Sequence, residues 1–298
     1  MAKTYNDIYI DARRALKDAG IEAYALEARL IVACVSGKTT EKLLKDLNLY
    51  AGEDLVQKVR ACVERRLQGE PVAYITGSWE FYGVPLYVNS SVLIPRPDTE
   101  IMARAAISLF AGRKSHPRIL DLCTGSGCIG CAMALHMPAA RIVMADNDPD
   151  ALAVARENLQ RCRLAPRVMC VQADVYDKPP ILMGEFDLIT CNAPYIPSDE
   201  LMTLDRSVRD YEPIHALDGG EDGLDVIRAV ISGWKSVLKD DGTIMLEVGE
   251  GQAEEVCRLL REAGFARTGC LKDTAGTDRV VVGTLLPGAA EAETETEE

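Results

Sequence analysis

From Arg118 onward, short β-branched and aliphatic runs alternate with amphipathic segments of helical period, and this alternation restricts the fold more than any other feature of the chain. Strands are expected at Arg118 to Leu122, Arg141 to Asp146, Val168 to Gln172, Phe186 to Cys191, Thr243 to Val248 and Arg279 to Gly283. Helices are expected near 128–136, 149–162, 223–239 and 252–263. Strands separated by helices cannot be joined as hairpins. The pattern therefore predicts an α/β domain with a parallel sheet wrapped by helices on both faces.

The first part of the chain has a different texture. Ile8, Ala12, Ala15 and Ala19 share one helical face, Leu26, Leu30 and Ala33 a second, and Leu55, Val59, Cys62 and Val63 a third. Gly20, Gly37 and Gly69 stand where helices would stop. Residues 1–70 are thus expected to form a small all-α bundle. Val72 to Thr76, Trp79 to Tyr82 and Leu86 to Val88 are aromatic and β-branched runs broken by Gly77 and by Gly83-Val84-Pro85, which predicts a β-hairpin linker over 71–97. A larger domain then spans 98–286, with a helix starting near Asp98. An acidic tail, 287–298, is too polar to bury anything and is expected to be disordered.

The 298 residues suit such a two-domain organisation. No apolar run approaches the ~20 residues that span a bilayer, and the N-terminus lacks an apolar signal region, so a cytoplasmic location without a membrane is expected. In that compartment the ten cysteines would remain thiols. The net charge is −13, of which five negatives lie in the final AEAETETEE run, leaving −8 on the rest. Such a field repels a nucleic-acid backbone and argues against nucleic acid as a partner.

The chemistry concentrates at the carboxyl ends of the predicted strands. Ile119-Leu120-Asp121-Leu122 runs into the small-residue loop Cys123-Thr124-Gly125-Ser126-Gly127 before a helix, a geometry in which backbone N–H groups approach a ligand. A bland tight turn would explain the glycines equally well. The next strand, however, ends in Asp146, about twenty residues further on, where an acid can accept ribose hydroxyls. The loop lacks the third glycine of a dinucleotide fingerprint, which leaves the nucleoside cofactor open. Phe186 to Cys191 then opens into Asn192-Ala193-Pro194-Tyr195. Asn192 offers an amide oxygen, the following main-chain carbonyl a second acceptor and Tyr195 a flat face, a set that suits a planar NH₂ group. As an isolated Asn-x-Pro the same residues would read as a capped turn.

The turn resembles the Asn-Pro-Pro-Tyr motif of amino-group N-methyltransferases. Together with Gly69-Glu70-Pro71-Val72-Ala73-Tyr74-Ile75-Thr76-Gly77, Leu93-Ile94-Pro95-Arg96-Pro97-Asp98-Thr99-Glu100, Val208-Arg209-Asp210-Tyr211-Glu212-Pro213 and Leu246-Glu247-Val248-Gly249-Glu250-Gly251-Gln252, it is similar to the release-factor glutamine N5-methyltransferases, the HemK/PrmC family. The resemblance implies a Rossmann-like class I methyltransferase domain preceded by a helical substrate-recognition domain. It implies S-adenosylmethionine as methyl donor and S-adenosylhomocysteine as product. By carry-over, Cys123, Thr124, Gly125, Ser126 and Gly127 would embrace the methionine portion, Asp146 the ribose, Asp174 and Val175 the adenine, and Asn192 both cofactor and substrate. Asn192, Pro194 and Tyr195 would be catalytic, and Asn192, Ala193, Pro194 and Tyr195 would hold the substrate. The substrate would be the glutamine of the Gly-Gly-Gln loop in bacterial peptide chain release factors, and the enzyme is expected to act as a monomer. A sister enzyme that modifies a ribosomal protein differs at the Pro95 to Glu100 segment.

Two residues depart from the family pattern: Cys123 stands for the usual glycine and Ala193 for the first proline. Two other functions therefore stay in view. One is methylation of an exocyclic base amine, which requires a base drawn from its stack. The other is a cofactor-binding protein whose catalysis Ala193 has impaired. Cys123, Cys128 and Cys131 carry the C-x₄-C-x₂-C spacing that begins a plant-type iron–sulfur set, but they straddle a glycine turn and a helix, where packed thiols suffice. His116, His136 and His215 have no paired ligand spacing, and no metal is expected.

Overall fold

The computed structural model describes residues 2–112 and 116–286. The acidic tail expected from Pro287 lies outside the described residues. The chain divides into two compact units, one containing the residues up to Ser78 together with Asp205–Tyr211, the other Trp79–Leu204 and Glu212 onward.

In the first unit, β1 (Lys3–Thr4) and β2 (Tyr50–Ala51) form a two-residue antiparallel pair, and the helices are α1 (Tyr5–Asp18), α2 (Tyr24–Val35), α3 (Thr40–Lys45), α4 (Glu53–Leu67) and α5 (Val72–Thr76). Helix α1 starts with a reciprocal box in which the Asp7 N–H donates to Thr4 Oγ1 while Asp7 Oδ2 accepts from the Thr4 N–H. The buried face of α2 is Glu27, Ala28, Ile31, Val32 and Ala33, so the expected Leu26 and Leu30 stripe is corrected: Leu26 is 54% exposed. The cause is an ion pair. Arg66 Nε donates to Glu27 Oε2 at 2.6 Å, which lets a carboxylate take a core position. Val72 to Thr76, expected as a strand, is a helical turn. Pro71 supplies φ −59° before it, Ile75 N–H donates to Pro71 O, and Gly77 at φ 62° ends it.

The second unit begins with the hairpin β3 (Trp79–Phe81) and β4 (Val84–Leu86), tied to the start of α6 (Glu100–Phe110) by Tyr82 N–H donating to Glu100 Oε1. Then follow β5 (Arg118–Leu122), α7 (Cys128–His136), β6 (Arg141–Asp146), α8 (Pro149–Arg161), β7 (Val168–Gln172) and β8 (Phe186–Cys191). The short α9 (Arg206–Arg209), counted with the first unit, precedes α10 (Asp225–Trp234), β9 (Leu238–Glu247), α11 (Ala253–Glu262), β10 (Arg267–Lys272) and β11 (Asp278–Thr284).

The seven strands lie in the order β10-β11-β9-β8-β5-β6-β7, parallel from β9 to β7, with β11 and β10 antiparallel at one edge. Alternate residues feed two cores, as the period-2 geometry of a strand requires. Leu120, Leu122, Phe186, Ile189 and Ile244 pack with Trp234 and Phe265 on one face. Ile119, Met144, Leu188 and Met245 pack with Met102 and Met133 on the other. Because β5 lies between β6 and β8, the chain leaves it in opposite directions, opening a crevice at the carboxyl ends. Two expectations need correction. β9 starts at Leu238, inside the segment expected to be helical, because Phe186 pairs with Leu238 although Lys239-Asp240-Asp241 reads as polar. β10 was not expected, since it is an edge strand interrupted by Gly269 and mostly exposed.

Candidate functional site

A cavity of about 440 Å³ opens at this crevice, within the range typical of small-molecule sites. Its floor is the loop after β5. There Asp121, fully buried, accepts from Thr124 Oγ1 at 2.5 Å and from Thr190 Oγ1 at 2.7 Å. Burial pushes the Asp121 carboxyl up to about 6, against the opposing pull of those hydroxyls. Thr124 N–H donates to Ala145 O and Gly127 N–H to Thr124 O, closing the loop against β6. Asn158, also fully buried, donates to Ser126 O and Tyr87 O and accepts from Tyr87 N–H, so α8 holds the loop from behind.

Asp146 closes the next side. Gly125 N–H donates to its Oδ2 at 2.8 Å and Asp148 N–H to its Oδ1 at 3.1 Å. Burial raises its pKa, with those two amides pulling the other way. Both oxygens retain lone pairs for a ligand hydroxyl, so the same carboxylate can shape the loop and meet a ribose.

Of the residues singled out from sequence, Cys123, Thr124, Gly125, Ser126, Asp146, Val175, Asn192 and Pro194 line the cavity. Gly127, Asp174, Ala193 and Tyr195 stand behind it. Gly127, at φ 78°, lets α7 approach β6: a Cβ there would lie 2.7 Å from Met144 Cε. Asp174 caps a turn, accepting from Tyr176 N–H at 2.9 Å. Ala193 is buried in the sheet core, and burial raises the Tyr195 phenol to about 12. The Tyr195 carbonyl accepts from Gln252 Nε2 at 2.9 Å, and Gln252 Oε1 accepts from Gly249 N–H. The Leu246 to Gln252 segment thereby props the Asn192 turn. Sequence reasoning missed further lining residues, among them Leu93, Thr99, Ile129, Asn147, Tyr176 and His215. They come from separate loops and helices with no shared spacing, and only the Leu93 to Glu100 segment carried a signal.

Cys123 has φ 51°, a left-handed conformation in which glycine is at ease and other residues are strained. The neighbouring Cys123 thiol, together with burial, raises the Cys191 pKa. A β-branched side chain could not share this geometry. Cys123→Val should destabilise the larger unit by about 2 kcal/mol, while Cys123→Gly should be tolerated. Equal urea midpoints for the two variants would remove the strain argument. Cys128 and Cys131 are buried in α7, and among the described residues no three His, Cys, Asp or Glu side chains gather as a metal-ligand set.

Behind Asn192 lies a second polar cluster. Asn192 Nδ2 donates to Thr99 Oγ1 at 3.3 Å. Glu247, at the end of β9, is 2% exposed. Burial drives its carboxyl up to about 7, with the neighbouring Thr99 hydroxyl, Arg279 and the Asn192 amide opposing the rise. Its Oε2 has no hydrogen-bond partner.

Comparison with known proteins places these features in a family. The family model described as PrmC N-terminal domain matches residues 7–77, and the methyltransferase small domain matches residues 103–206. A release factor glutamine methyltransferase of Clostridium acetobutylicum is 37% identical over 93% of this chain and 96% of its own length. One from Caulobacter vibrioides is 35% identical over 96% and 98%. Among solved structures, the hMettl16 catalytic domain has a TM-score of 0.56 at 14% identity over 79% of this chain and 84% of that one, which marks a shared fold. A release factor-specific protein-(glutamine-N5) methyltransferase from Alicyclobacillus acidocaldarius is 31% identical over 67% of this chain and 99% of that one, with a TM-score of 0.40. With identities above a third sustained over nearly the whole length, the chain belongs to the release factor glutamine methyltransferase family.

Proposed function

We propose that this protein transfers a methyl group from S-adenosylmethionine to the side-chain amide nitrogen of the glutamine in the Gly-Gly-Gln motif of bacterial peptide chain release factors, in the cytoplasm and as a monomer. The observation that carries the reading is the single cavity walled by both the Cys123 to Ser126 loop and Asn192-Pro194, which brings a nucleoside-type pocket and an amide acceptor together. Its lining fits the cofactor: the Asp146 carboxylate for ribose hydroxyls and apolar Val175 and Ile129 for a base. When bound, S-adenosylmethionine supplies an electrophilic methyl group on a sulfonium.

The chain's own residues supply position and polarity. An amide nitrogen is a weak nucleophile because its lone pair is delocalised into the carbonyl. Asn192 Oδ1 and the Ala193 carbonyl are assigned as acceptors for the two N–H bonds. They would orient the nitrogen and stabilise the positive charge it gains, at no cost in reorganisation. Pro194 biases residue 193 toward extended geometry, in which the Ala193 side chain packs into the core behind the wall while its carbonyl is assigned to the cavity side. We assign recognition of the intact protein substrate to the helical N-terminal unit, residues 1–70, because the chemistry-bearing residues of the cavity all come from beyond it.

Mass spectrometry of a release factor incubated with the protein and S-adenosylmethionine tests the reading, and one added methyl on the Gly-Gly-Gln glutamine is expected. Intact factor should be a better substrate than a short Gly-Gly-Gln peptide. Methylation of duplex DNA instead would favour the base-amine reading. Cofactor binding with no turnover on any substrate would favour a binding protein impaired at Ala193. Asp146→Ala should weaken S-adenosylmethionine binding by roughly tenfold to a hundredfold, through loss of a charge-assisted contact and of the Gly125 N–H anchor. Unchanged affinity by calorimetry would take Asp146 out of the site.

A further inference from the structure

Asn192 can act as an acceptor toward a substrate amide only if its oxygen, not its NH₂, faces the cavity. An amide flip exchanges the two at almost no steric cost, so something must select one orientation. Thr99 Oγ1, which accepts from Asn192 Nδ2 at 3.3 Å, cannot do so alone, because a hydroxyl can donate as readily as it accepts. The buried Glu247 beside both residues can. The pairing of Cys191 with Leu246 sets Asn192 beside Glu247, and an ionised carboxylate only accepts, so the Asn192 amide and the Thr99 hydroxyl can turn toward it only as donors. Every donor in the cluster thus points toward Glu247, from Asn192 both directly and by way of Thr99.

We infer that Glu247 is a positioning residue which, directly and through Thr99, locks the Asn192 side chain with its NH₂ turned inward and Oδ1 presented to the substrate amide. The inference rests on the proposed amide-methylating function for its catalytic consequence, but the orientation itself is a property of the protein alone. A buried carboxylate with one oxygen unpartnered is costly to keep for stability's sake. That cost is understandable if the group serves polarity and not packing. The charged and titratable groups around Glu247 are Arg279 of β11, Asp98 before α6, Tyr195 in the turn after β8 and Cys128 at the start of α7. Arg279 favours the ionised form and Asp98 opposes it.

Two pH effects follow. Protonated Glu247 can donate, the polarity of the cluster is lost, and kcat should fall on an acid limb centred near about 7. Stability runs the other way. The native carboxyl holds its proton to higher pH than the unfolded one, so the destabilisation is absent below about 4.5 and develops as pH rises through about 7.

The test is Glu247→Gln, which keeps the shape and removes the acceptor-only character. The expected result is a kcat lower by about 10- to 100-fold toward a Gly-Gly-Gln substrate, no acid limb, and a Tm at pH 8 equal to or above that of the wild type. Thr99→Ser, which keeps the hydroxyl, should lose less kcat than Thr99→Val, and both should keep an acid limb because Glu247 still faces the Asn192 amide directly. In NMR, the Asn192 side-chain NH₂ protons should be protected from solvent exchange in the wild type and exposed in Glu247→Gln. Wild-type kcat in Glu247→Gln, or a Tm that falls together with kcat, would overturn the inference in favour of an inert or merely structural residue. A wild type inactive on release factor would count against the proposed function. The NH₂ exchange would then decide the orientation alone, with equal protection in wild type and Glu247→Gln overturning it.

Discussion

Asn192→Ala is expected to lower kcat toward a Gly-Gly-Gln substrate by about 10²–10³, the size of effect that follows loss of one preorganised polar contact in a site shielded from water. The substitution removes the side chain that lines the cavity wall, with the acceptor proposed there, and the Nδ2 donor to Thr99. The Ala193 carbonyl is untouched. A substrate amide would then be held by one acceptor instead of two, leaving its nitrogen free to rotate out of line with the methyl group. The loss should fall on kcat more than on KM, because the contact strengthens as charge develops on nitrogen. Single-turnover kinetics with saturating cofactor isolate this step. A variant that methylates at the wild-type rate would show that Asn192 is not the catalytic device.

The second large effect concerns a residue that does not itself line the cavity. Arg96 Nη2 donates to Glu212 Oε1 at 2.5 Å, and Glu212 Oε2 accepts from Ile94 N–H at 3.0 Å, with the Glu212 side chain only 1% exposed. Arg96→Met should destabilise the larger unit by about 3 kcal/mol, since it strands a buried carboxylate with a single amide donor. Adding Glu212→Gln to that variant should recover most of the loss, because a neutral amide needs no counter-charge. Urea unfolding measures both. A double variant no more stable than Arg96→Met would mean that the arginine acts by packing and not by charge. The pair also spans the motifs Leu93 to Glu100 and Val208 to Pro213, so their joint occurrence in the chain has a mechanical reason. The first wraps the cavity wall at Leu93, Pro95 and Thr99, and the second supplies the carboxylate that pins it.

The alternating strands and helices by themselves determined the parallel sheet, because period and length are local properties that a crevice-forming α/β topology inherits directly. The loop from Cys123 to Gly127, Asp146 and the Asn192 turn were legible for the same reason: each follows a strand whose end the sequence marks. Only the tertiary structure decided the rest. Glu27 took a core position in α2 because Arg66, a long way along the chain, neutralised it. Val72 to Thr76 coiled into a turn because Pro71 and Gly77 outweighed β-branched propensity. Tyr195 and Ala193 lie behind the cavity they were expected to line, since alternate residues of an extended turn point to opposite sides. The polarity of Asn192 depends on Thr99 and Glu247, brought beside it from the start of α6 and the end of β9. A sequence marks which residues can form hydrogen bonds, but the direction in which a buried network donates is set by the one group that can only accept, and folding alone determines where that group lies.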